Sequence, residues 1–218
     1  MSSGQPPASG QTRDSSSQVR AVRLIVNEHR QLASVLILLE SLVEQVVAGK
    51  SAPDFRLLAT VLCYIDTFPE RFHHPKEDQY LFTALRGRTG SATALLERLS
   101  QDHRTSEHFL LGLDRCFVAF QAHLPGATRN FSDACAAFVR FHIDHMQTEE
   151  TELLPLAAKH LTQGDWENIA AAWAANEDPL RGMDSQATFA RLRASIAEQV
   201  PEKMRRVFSR IDGDLEQP

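Results

Sequence analysis

The sequence predicts an all-α fold: an antiparallel up-down-up-down four-helix bundle with a C-terminal helical extension. No β-branched alternating run of strand length occurs, and apolar residues recur at three- and four-residue spacing in four long segments. Turn signals separate these segments at residues 48–53, 86–90, 124–126 and 163–165. Because each connection is short, consecutive helices are expected to pack side by side and antiparallel.

The chain divides into three parts. Residues 1–18 are rich in Ser, Gln, Gly and Pro, which predicts a disordered tail. Residues 19–162 carry the four helical patterns of the bundle. Residues 163–218 form the predicted extension, in which shorter helical patterns near 166–176 and 188–208 are interrupted by Pro179 and Pro201.

Composition excludes several classes of function. The net charge of -5 over 218 residues argues against a nucleic-acid binder, and no apolar run approaches the ~20 residues of a membrane span. The N-terminus has no apolar stretch typical of a signal peptide, and the three cysteines form no CxxC pair. We therefore expect a cytoplasmic protein with no nucleic-acid or membrane partner, and the sequence assigns no protein partner.

Histidines interrupt the apolar stripe of every bundle helix. Each stripe holds one histidine, and in the second and fourth helices a glutamate follows four residues later on the same face. Polar residues that point inward need partners, because burying them unsatisfied is costly. The six inward residues are His29, His73, Glu77, His103, His145 and Glu149.

The spacing of the four histidines places them at one level of the bundle. Antiparallel neighbours lie side by side when both are equally far from the turn that joins them. The midpoints of successive histidine pairs fall within the three turn signals of the bundle, at Ser51, Arg88 and Leu124. Four imidazoles and two carboxylates should therefore converge, an arrangement that indicates a metal site.

An internal repeat favours two metal ions. Glu28-His29-Arg30 matches Asp102-His103-Arg104, and the segment from His73 to Asp78 matches the segment from His145 to Glu150. Each helical hairpin thus supplies two histidines and one glutamate. Such a pseudo-two-fold set suits two ions with about three protein ligands each, with the glutamates able to bridge them.

The other histidines and some acidic residues leave alternatives open. His74 and Asp78 repeat the spacing of His73 and Glu77, but the apolar stripe and the internal repeat favour the latter pair, which leaves His74 beside the site or at the surface. The remaining histidines are interpreted as peripheral: His108, His123, His142 and His160. Four acidic neighbours of the candidate ligands are either solvated or orient an imidazole: Glu28, Asp78, Asp102 and Glu150.

Two segments of the chain carry a family resemblance. The chain resembles the hemerythrin-like (HHE cation-binding) proteins over roughly residues 20–160. The most specific parts of the resemblance are the segment FHHPKED followed by LF and the later segment HxxxEE followed by LL. The resemblance implies a four-helix bundle with a non-haem di-iron centre, in which two irons per chain are carboxylate- and oxo-bridged. It also implies that the family's ligands fall on the same six residues. The extension after Gly164 looks like the tail of longer members.

The third helix departs from the pattern of the oxygen-carrying hemerythrins. Those proteins have a second histidine one turn after the first; here that position is Glu107, and His108 is out of phase. Glu107 is either a seventh ligand or solvated, and one coordination position is left open. The departure argues against reversible oxygen carriage and suits chemistry on oxygen, peroxide or nitric oxide.

These features predict a non-haem di-iron protein that binds or senses oxygen or nitric oxide. One alternative is a di-iron enzyme acting on peroxide or in iron–sulfur cluster repair, because family members with the repair role have a similar six-ligand set. The other alternative is an iron-binding or buffering protein. Mixed imidazole and carboxylate ligands suit iron, with manganese, zinc or copper as substitutes. The ligand set alone does not distinguish catalysis from sensing.

Overall fold

Helices account for the regular structure in the part of the chain that the computed structural model describes, residues 11–175 and 185–202. These residues contain no strand, which confirms the predicted all-α class for them. None of their helices is long and apolar enough to cross a membrane. The helices are α1 (Gln11–Val47), α2 (Phe55–Phe68, Pro69–His73, His74–Lys76, Glu77–Phe82 and Thr83–Arg88 in direct succession), α3 (Thr93–Gln121, after the 3-10 turn Gly90–Ala92), α4 (Ala127–Thr148, Glu149–Leu153 and Leu154–His160 in direct succession), α5 (Gln163–Ala174) and α6 (Ser185–Gln199).

The first helix begins earlier than the sequence predicts. α1 starts at Gln11, inside the segment 1–18 for which composition predicts disorder. Because no glycine or proline occurs between Gly10 and Gly49, a helix nucleated by the apolar stripe extends through polar residues at little cost. Residues 1–10 lie outside the described part, and for them disorder stays a prediction.

Short connections set where the helices begin. The Asp54 side chain accepts a hydrogen bond of 3.0 Å from the Leu57 N–H and so caps the start of α2. Gly126, with φ of 75°, turns the chain into α4 in a conformation that glycine adopts at little cost. These turns fix which residues of neighbouring helices lie at the same level.

Prolines explain two of the three π-helical turns beside the candidate ligands, Pro69–His73 and Glu149–Leu153, whereas no proline follows the third, Glu77–Phe82. The His74 N–H bonds to the Pro69 carbonyl and the Leu154 N–H bonds to the Glu149 carbonyl, each across five residues. A proline follows directly in both cases. A wider turn accommodates that proline, which lacks an N–H and whose ring clashes with the carbonyl four residues back. The extra residue rotates the side chains that follow by about 100° relative to a regular helix.

Two apolar clusters enclose a polar layer. On α1, Ile25 belongs to one cluster and Leu32 to the other, with His29 between them. On α3, Leu99 and Leu110 flank the same layer from the two clusters. Because the clusters seal both ends, the polar side chains of this layer are withdrawn from water.

Helix α5 of the extension packs on the bundle beside the polar layer. It lies against α1, and its Trp166 and Trp173 are buried. Trp173 meets the His73 ring edge-on at 6.5 Å, and the Lys76 Nζ lies 5.1 Å from the centre of the Trp173 ring. This part of the extension therefore covers the site on the side of His73.

Helix α6 packs on α2, with Ile196 and Val200 buried against the apolar core. It corresponds to the helical pattern predicted near 188–208, and it ends just before Pro201. The predicted interruption at Pro179 and the residues after 202 lie outside the described part of the chain.

Candidate metal centre

Six polar side chains meet in the layer between the two apolar clusters. None of them exposes more than 7% of its surface. α1 and α3 supply one histidine each, and α2 and α4 each supply a histidine and the glutamate four residues later. The structure thus brings together all six residues that the sequence singles out: His29, His73, Glu77, His103, His145 and Glu149.

Ligand atoms among the described residues form two groups of four. Within each group these atoms all lie within 4.8 Å of one another, and every member is buried. One carboxylate belongs to both groups. The first group is His29, His73, Glu77 and Glu149, and the second is His74, Glu77, His103 and His145.

Each glutamate presents one oxygen to each group. Glu77 Oε1 lies 3.2 Å from His73 Nε2 in the first group, and its Oε2 lies 3.4 Å from His103 Nε2 in the second. Glu149 repeats the arrangement from α4, with its oxygens 3.2 and 3.4 Å from one imidazole of each group. Both carboxylates therefore stand between the two groups, as the internal repeat predicts.

The position of His74 in α2 differs from the sequence-based prediction. The sequence favours a position beside the site or at the surface, but the residue is only 4% exposed and belongs to the second group. Its ring stacks on that of His103 with centroids 4.1 Å apart and planes 11° apart. The π-helical turn Pro69–His73 changes the rotation of the helix at this point, so that two consecutive histidines both face inward.

Carboxylates face the outer nitrogens of the four imidazoles, and three of the four contacts are hydrogen bonds. Each acidic residue is adjacent in the chain to a candidate ligand but contacts the imidazole of a different helix. The Nδ1-to-oxygen distances are 2.8 Å for His29 and Glu150, 2.8 Å for His73 and Glu28, 3.2 Å for His103 and Asp78, and 3.6 Å for His145 and Asp102. When Nδ1–H donates outward, the Nε2 lone pair faces inward. The hydrogen bonds support the orienting role rather than the solvated one for Glu150, Glu28 and Asp78. The 3.6 Å between His145 Nδ1 and Asp102 is too long for a hydrogen bond, so no such support exists for Asp102.

The residues of the centre fit a metal ion, because their inward-facing atoms lack hydrogen-bond partners. No hydrogen bond is formed by the Nε2 atoms of His29, His73, His103 and His145 or by either carboxylate oxygen of Glu77 and Glu149. Buried lone pairs without partners are costly. A cation satisfies several converging lone pairs at once, and imidazole nitrogens with carboxylate oxygens are ordinary ligands for transition metals.

Burial and charge shift the pKa values within the centre. Burial alone lowers the pKa of His29, but the surrounding carboxylates, Glu149 first, outweigh it and raise the pKa well above its ordinary value. The same balance raises the pKa of His103 to about 10. Burial raises the pKa of Glu77, but the imidazoles around it outweigh that effect and hold the pKa well below its usual range. Burial and the His103 imidazole lower the pKa of His74 well below its ordinary value.

Other polar residues near the centre lie outside both groups. Glu107, which the sequence leaves open as a seventh ligand, is exposed, so the solvated alternative is the correct one. His142 is buried, its Nδ1 donates to the Phe138 carbonyl at 3.1 Å, and its Nε2 lies 2.9 Å from Ser106 Oγ. His108 and His123 are exposed and His160 is half-buried. Their peripheral placement agrees with the prediction, whereas His142 is peripheral to the ligands but fully buried.

The comparisons with known proteins agree with this geometry. The family model of the hemerythrin HHE cation-binding domain matches residues 20–157. The chain therefore belongs to the hemerythrin HHE cation-binding family. No curated protein and no solved structure gave a significant match.

Glu28 provides a test of the outer carboxylates. It accepts from His73 Nδ1 at 2.8 Å and from Lys76 Nζ at 2.6 Å. We expect Glu28→Ala to weaken metal affinity by about 10- to 100-fold, because an unheld imidazole is less basic and less well oriented. Chelator-competition titration measures the affinity. Glu97→Ala removes an exposed glutamate from α3 and should leave the affinity unchanged; equal affinities for both variants would exclude an orienting role for Glu28.

Proposed function

We propose that the chain is a non-haem di-iron protein that binds or senses a small diatomic ligand, oxygen or nitric oxide. The observation that carries the proposal is the pair of buried groups that share a carboxylate and whose inward atoms lack partners. One iron would be held by His29 and His73 and the other by His74, His103 and His145. Glu77 and Glu149 each have an oxygen near both groups and would be available to both ions.

The two proposed positions differ in their imidazoles. The first has two and the second has three, because His74 joins only the second group. When bound, the iron pair supplies ligand binding and one-electron chemistry. The chain's own contribution is to bind the imidazole Nδ1–H groups by hydrogen bonds to the outer carboxylates. The two apolar clusters keep water away from the site. The position with fewer imidazoles would leave more room for an exogenous ligand.

We further propose a topology for the bundle and a location for the protein. We take α1 to α4 to run up-down-up-down, which the short connections before Phe55 and Ala127 support. We place the protein in the cytoplasm because Cys63, Cys116 and Cys135 are all free thiols, which suits a reducing compartment.

Metal affinity should rise with pH. The pKa of His29 is raised well above its ordinary value and that of His103 to about 10, so these two metal-free imidazoles hold protons at neutral pH that an incoming ion must displace. The pKa of His73 is shifted in the same direction. Each proton released contributes about a tenfold change in affinity per pH unit. The gain continues until the pH passes the pKa of each group, which for His103 is about 10. Anaerobic Fe(II) titrations across the neutral range measure it; an affinity independent of pH would contradict the protonated cluster.

Optical titration tests the proposed function. The reduced, iron-loaded protein is titrated separately with oxygen, nitric oxide and hydrogen peroxide, and the near-UV and visible spectra are recorded. A spectrum that appears with oxygen or nitric oxide and reverses on removal of the gas supports binding or sensing. Catalytic turnover of peroxide supports the enzyme alternative, and an absence of spectral change with all three leaves iron binding or buffering.

A further inference from the structure

The two hairpins of the internal repeat differ in what lies behind their outer carboxylates. By the register that matches His73 to His145, Lys76 of α2 matches Thr148 of α4. The Lys76 Nζ lies 2.6 Å from one carboxylate oxygen of Glu28, and the other oxygen lies 2.8 Å from His73 Nδ1. Thr148 carries no charge, and its hydroxyl donates to a backbone carbonyl of its own helix at 2.9 Å. Only the first hairpin of this matched pair therefore places a cation on its outer carboxylate.

The contacts at the two imidazoles differ in the same way. His73 Nδ1 forms a hydrogen bond of 2.8 Å with Glu28, whereas 3.6 Å separates His145 Nδ1 from Asp102, too far for a hydrogen bond. Among the residues that the structure describes, Asp102 forms an ion pair with that imidazole and with no lysine or arginine. A carboxylate bound through one oxygen has fewer orientations left for the other. The lysine and the shorter contact to the imidazole thus occur together.

The Lys76 side chain also contacts a tryptophan of the C-terminal extension. The Lys76 Nζ lies 5.1 Å from the centre of the Trp173 ring, within the range of a cation–π interaction. The same ring meets the His73 imidazole edge-on at 6.5 Å. Trp173 is buried and packed in an apolar cluster, so its ring has little room to move. It lies beyond residues 20–157, so the extension adds this contact to the family domain.

We propose that Lys76 and Trp173 are positioning residues for the His73 side of the metal centre. The Trp173 ring restrains the Lys76 ammonium, and the ammonium fixes the Glu28 carboxylate. That carboxylate in turn orients the His73 imidazole. Neither positioning residue binds the metal, and both act through Glu28. Helix α5 is therefore a structural part of the centre. The inference rests on the proposed function, since an effect on metal affinity requires an ion held by His73.

Fe(II) affinity tests the role of Lys76. Lys76→Met keeps an unbranched side chain but removes the charge, so it should lower the affinity for one of the two ions about tenfold and leave the other unchanged. Anaerobic chelator-competition titration measures both affinities. Because Lys76 acts through Glu28, adding Lys76→Met to Glu28→Ala should change the affinity no further. A full additional loss in the double variant would overturn the positioning role.

Substitutions at Trp173 test the aromatic ring. Trp173→Leu keeps an apolar side chain but removes the ring face, and should weaken the affinity for the same ion several-fold. Trp173→Phe keeps a ring face and should recover most of the affinity. Trp166→Leu is the matched control, because Trp166 is buried in the same cluster about 10 Å earlier along α5. Equal affinities for Trp173→Leu and Trp166→Leu would exclude a role for the Trp173 ring.

Proton exchange at His73 tests the arrangement without metal. Proton NMR of the metal-free protein detects imidazole N–H groups, and the signal that Glu28→Ala removes is assigned to the Nδ1–H that donates to Glu28. Lys76→Met and Trp173→Leu should both speed the exchange of this proton with water several-fold, whereas Trp166→Leu should not. Exchange that is unchanged in both variants would overturn the inference.

The outcomes separate this inference from the proposed function. If the unmodified chain binds no iron, the proposed function fails, and the exchange rates still decide whether Lys76 and Trp173 position the imidazole. If it binds two ions but Lys76→Met and Trp173→Leu leave both affinities unchanged, the positioning role is wrong while the di-iron centre stands. Should Trp173→Leu fail to fold, the comparison of Lys76→Met with the Glu28→Ala double variant decides.

Discussion

The double variant Glu77→Gln/Glu149→Gln is expected to lose both metal ions. Each glutamate is at most 1% exposed and presents one oxygen to each group, so the pair links all the imidazoles of the centre. Glutamine keeps the size of the side chain but removes two negative charges and two lone-pair donors. Loss of an outer carboxylate costs about 10- to 100-fold in affinity, and loss of two direct ligands should cost more. Metal analysis of the purified variant measures the result.

A matched control separates the loss of ligands from the loss of charge. Glu97→Gln/Glu152→Gln removes two negative charges from exposed positions on α3 and α4. This control should hold as much metal as the unmodified chain. Far-UV circular dichroism of both variants checks that the helices are intact. If the Glu77/Glu149 variant is folded and still holds two ions per chain, the two glutamates are not the ligands that join the groups.

His74→Ala is expected to lose one ion and keep the other. His74 belongs only to the second group, whereas the first group keeps its full set of ligand atoms. The lowered pKa of His74 means that its imidazole is neutral at pH 7 and offers a lone pair without releasing a proton. We expect the affinity for one ion to fall by more than the about 10- to 100-fold that loss of an outer partner costs, so that metal content under limiting conditions drops from two per chain to about one.

His142→Ala is the matched control for His74→Ala. His142 is also a buried histidine near the centre, but it bonds to Phe138 and Ser106 and lies outside both groups. The control should retain two ions, even where the lost contacts lower its thermal stability. Two ions bound to both variants would restore the sequence-based reading, in which His74 lies beside the site without binding metal.

The sequence predicts the six inward residues because their chemistry interrupts a regular pattern. A single polar residue in an apolar helical stripe is detectable from spacing alone, and the turn signals then place the four histidines at one level. The same reasoning identifies the acidic neighbours as candidates to orient the imidazoles. The imidazoles of His73 and His29 donate hydrogen bonds to Glu28 and Glu150 of other helices, which supports that role where spacing alone left it undecided.

The position of His74 could not be read from helical spacing. A regular helix places consecutive residues about 100° apart, so His73 and His74 cannot both face one stripe. The π-helical turn Pro69–His73 removes that constraint. The signal that could have shown it is Pro75, because a proline inside a helical pattern requires a local change of the helix.

The covering of the site by the extension depends on contacts between distant parts of the chain. The helical pattern near residue 166 predicts an amphipathic segment, but no spacing rule states which surface it meets. In the structure Trp173 of α5 meets His73 and Lys76 of α2. Such long-range packing follows from the shape of the assembled bundle, and the local pattern is silent about it.

Iron content per chain, measured on protein purified from iron-supplemented cells, tests the proposed centre most directly. We predict about two irons per chain, with iron-linked absorption in the near-UV, and their loss in the Glu77→Gln/Glu149→Gln variant but not in the Glu97→Gln/Glu152→Gln control. Folded protein that contains no iron and takes up none when reconstituted anaerobically with Fe(II) would contradict the di-iron proposal.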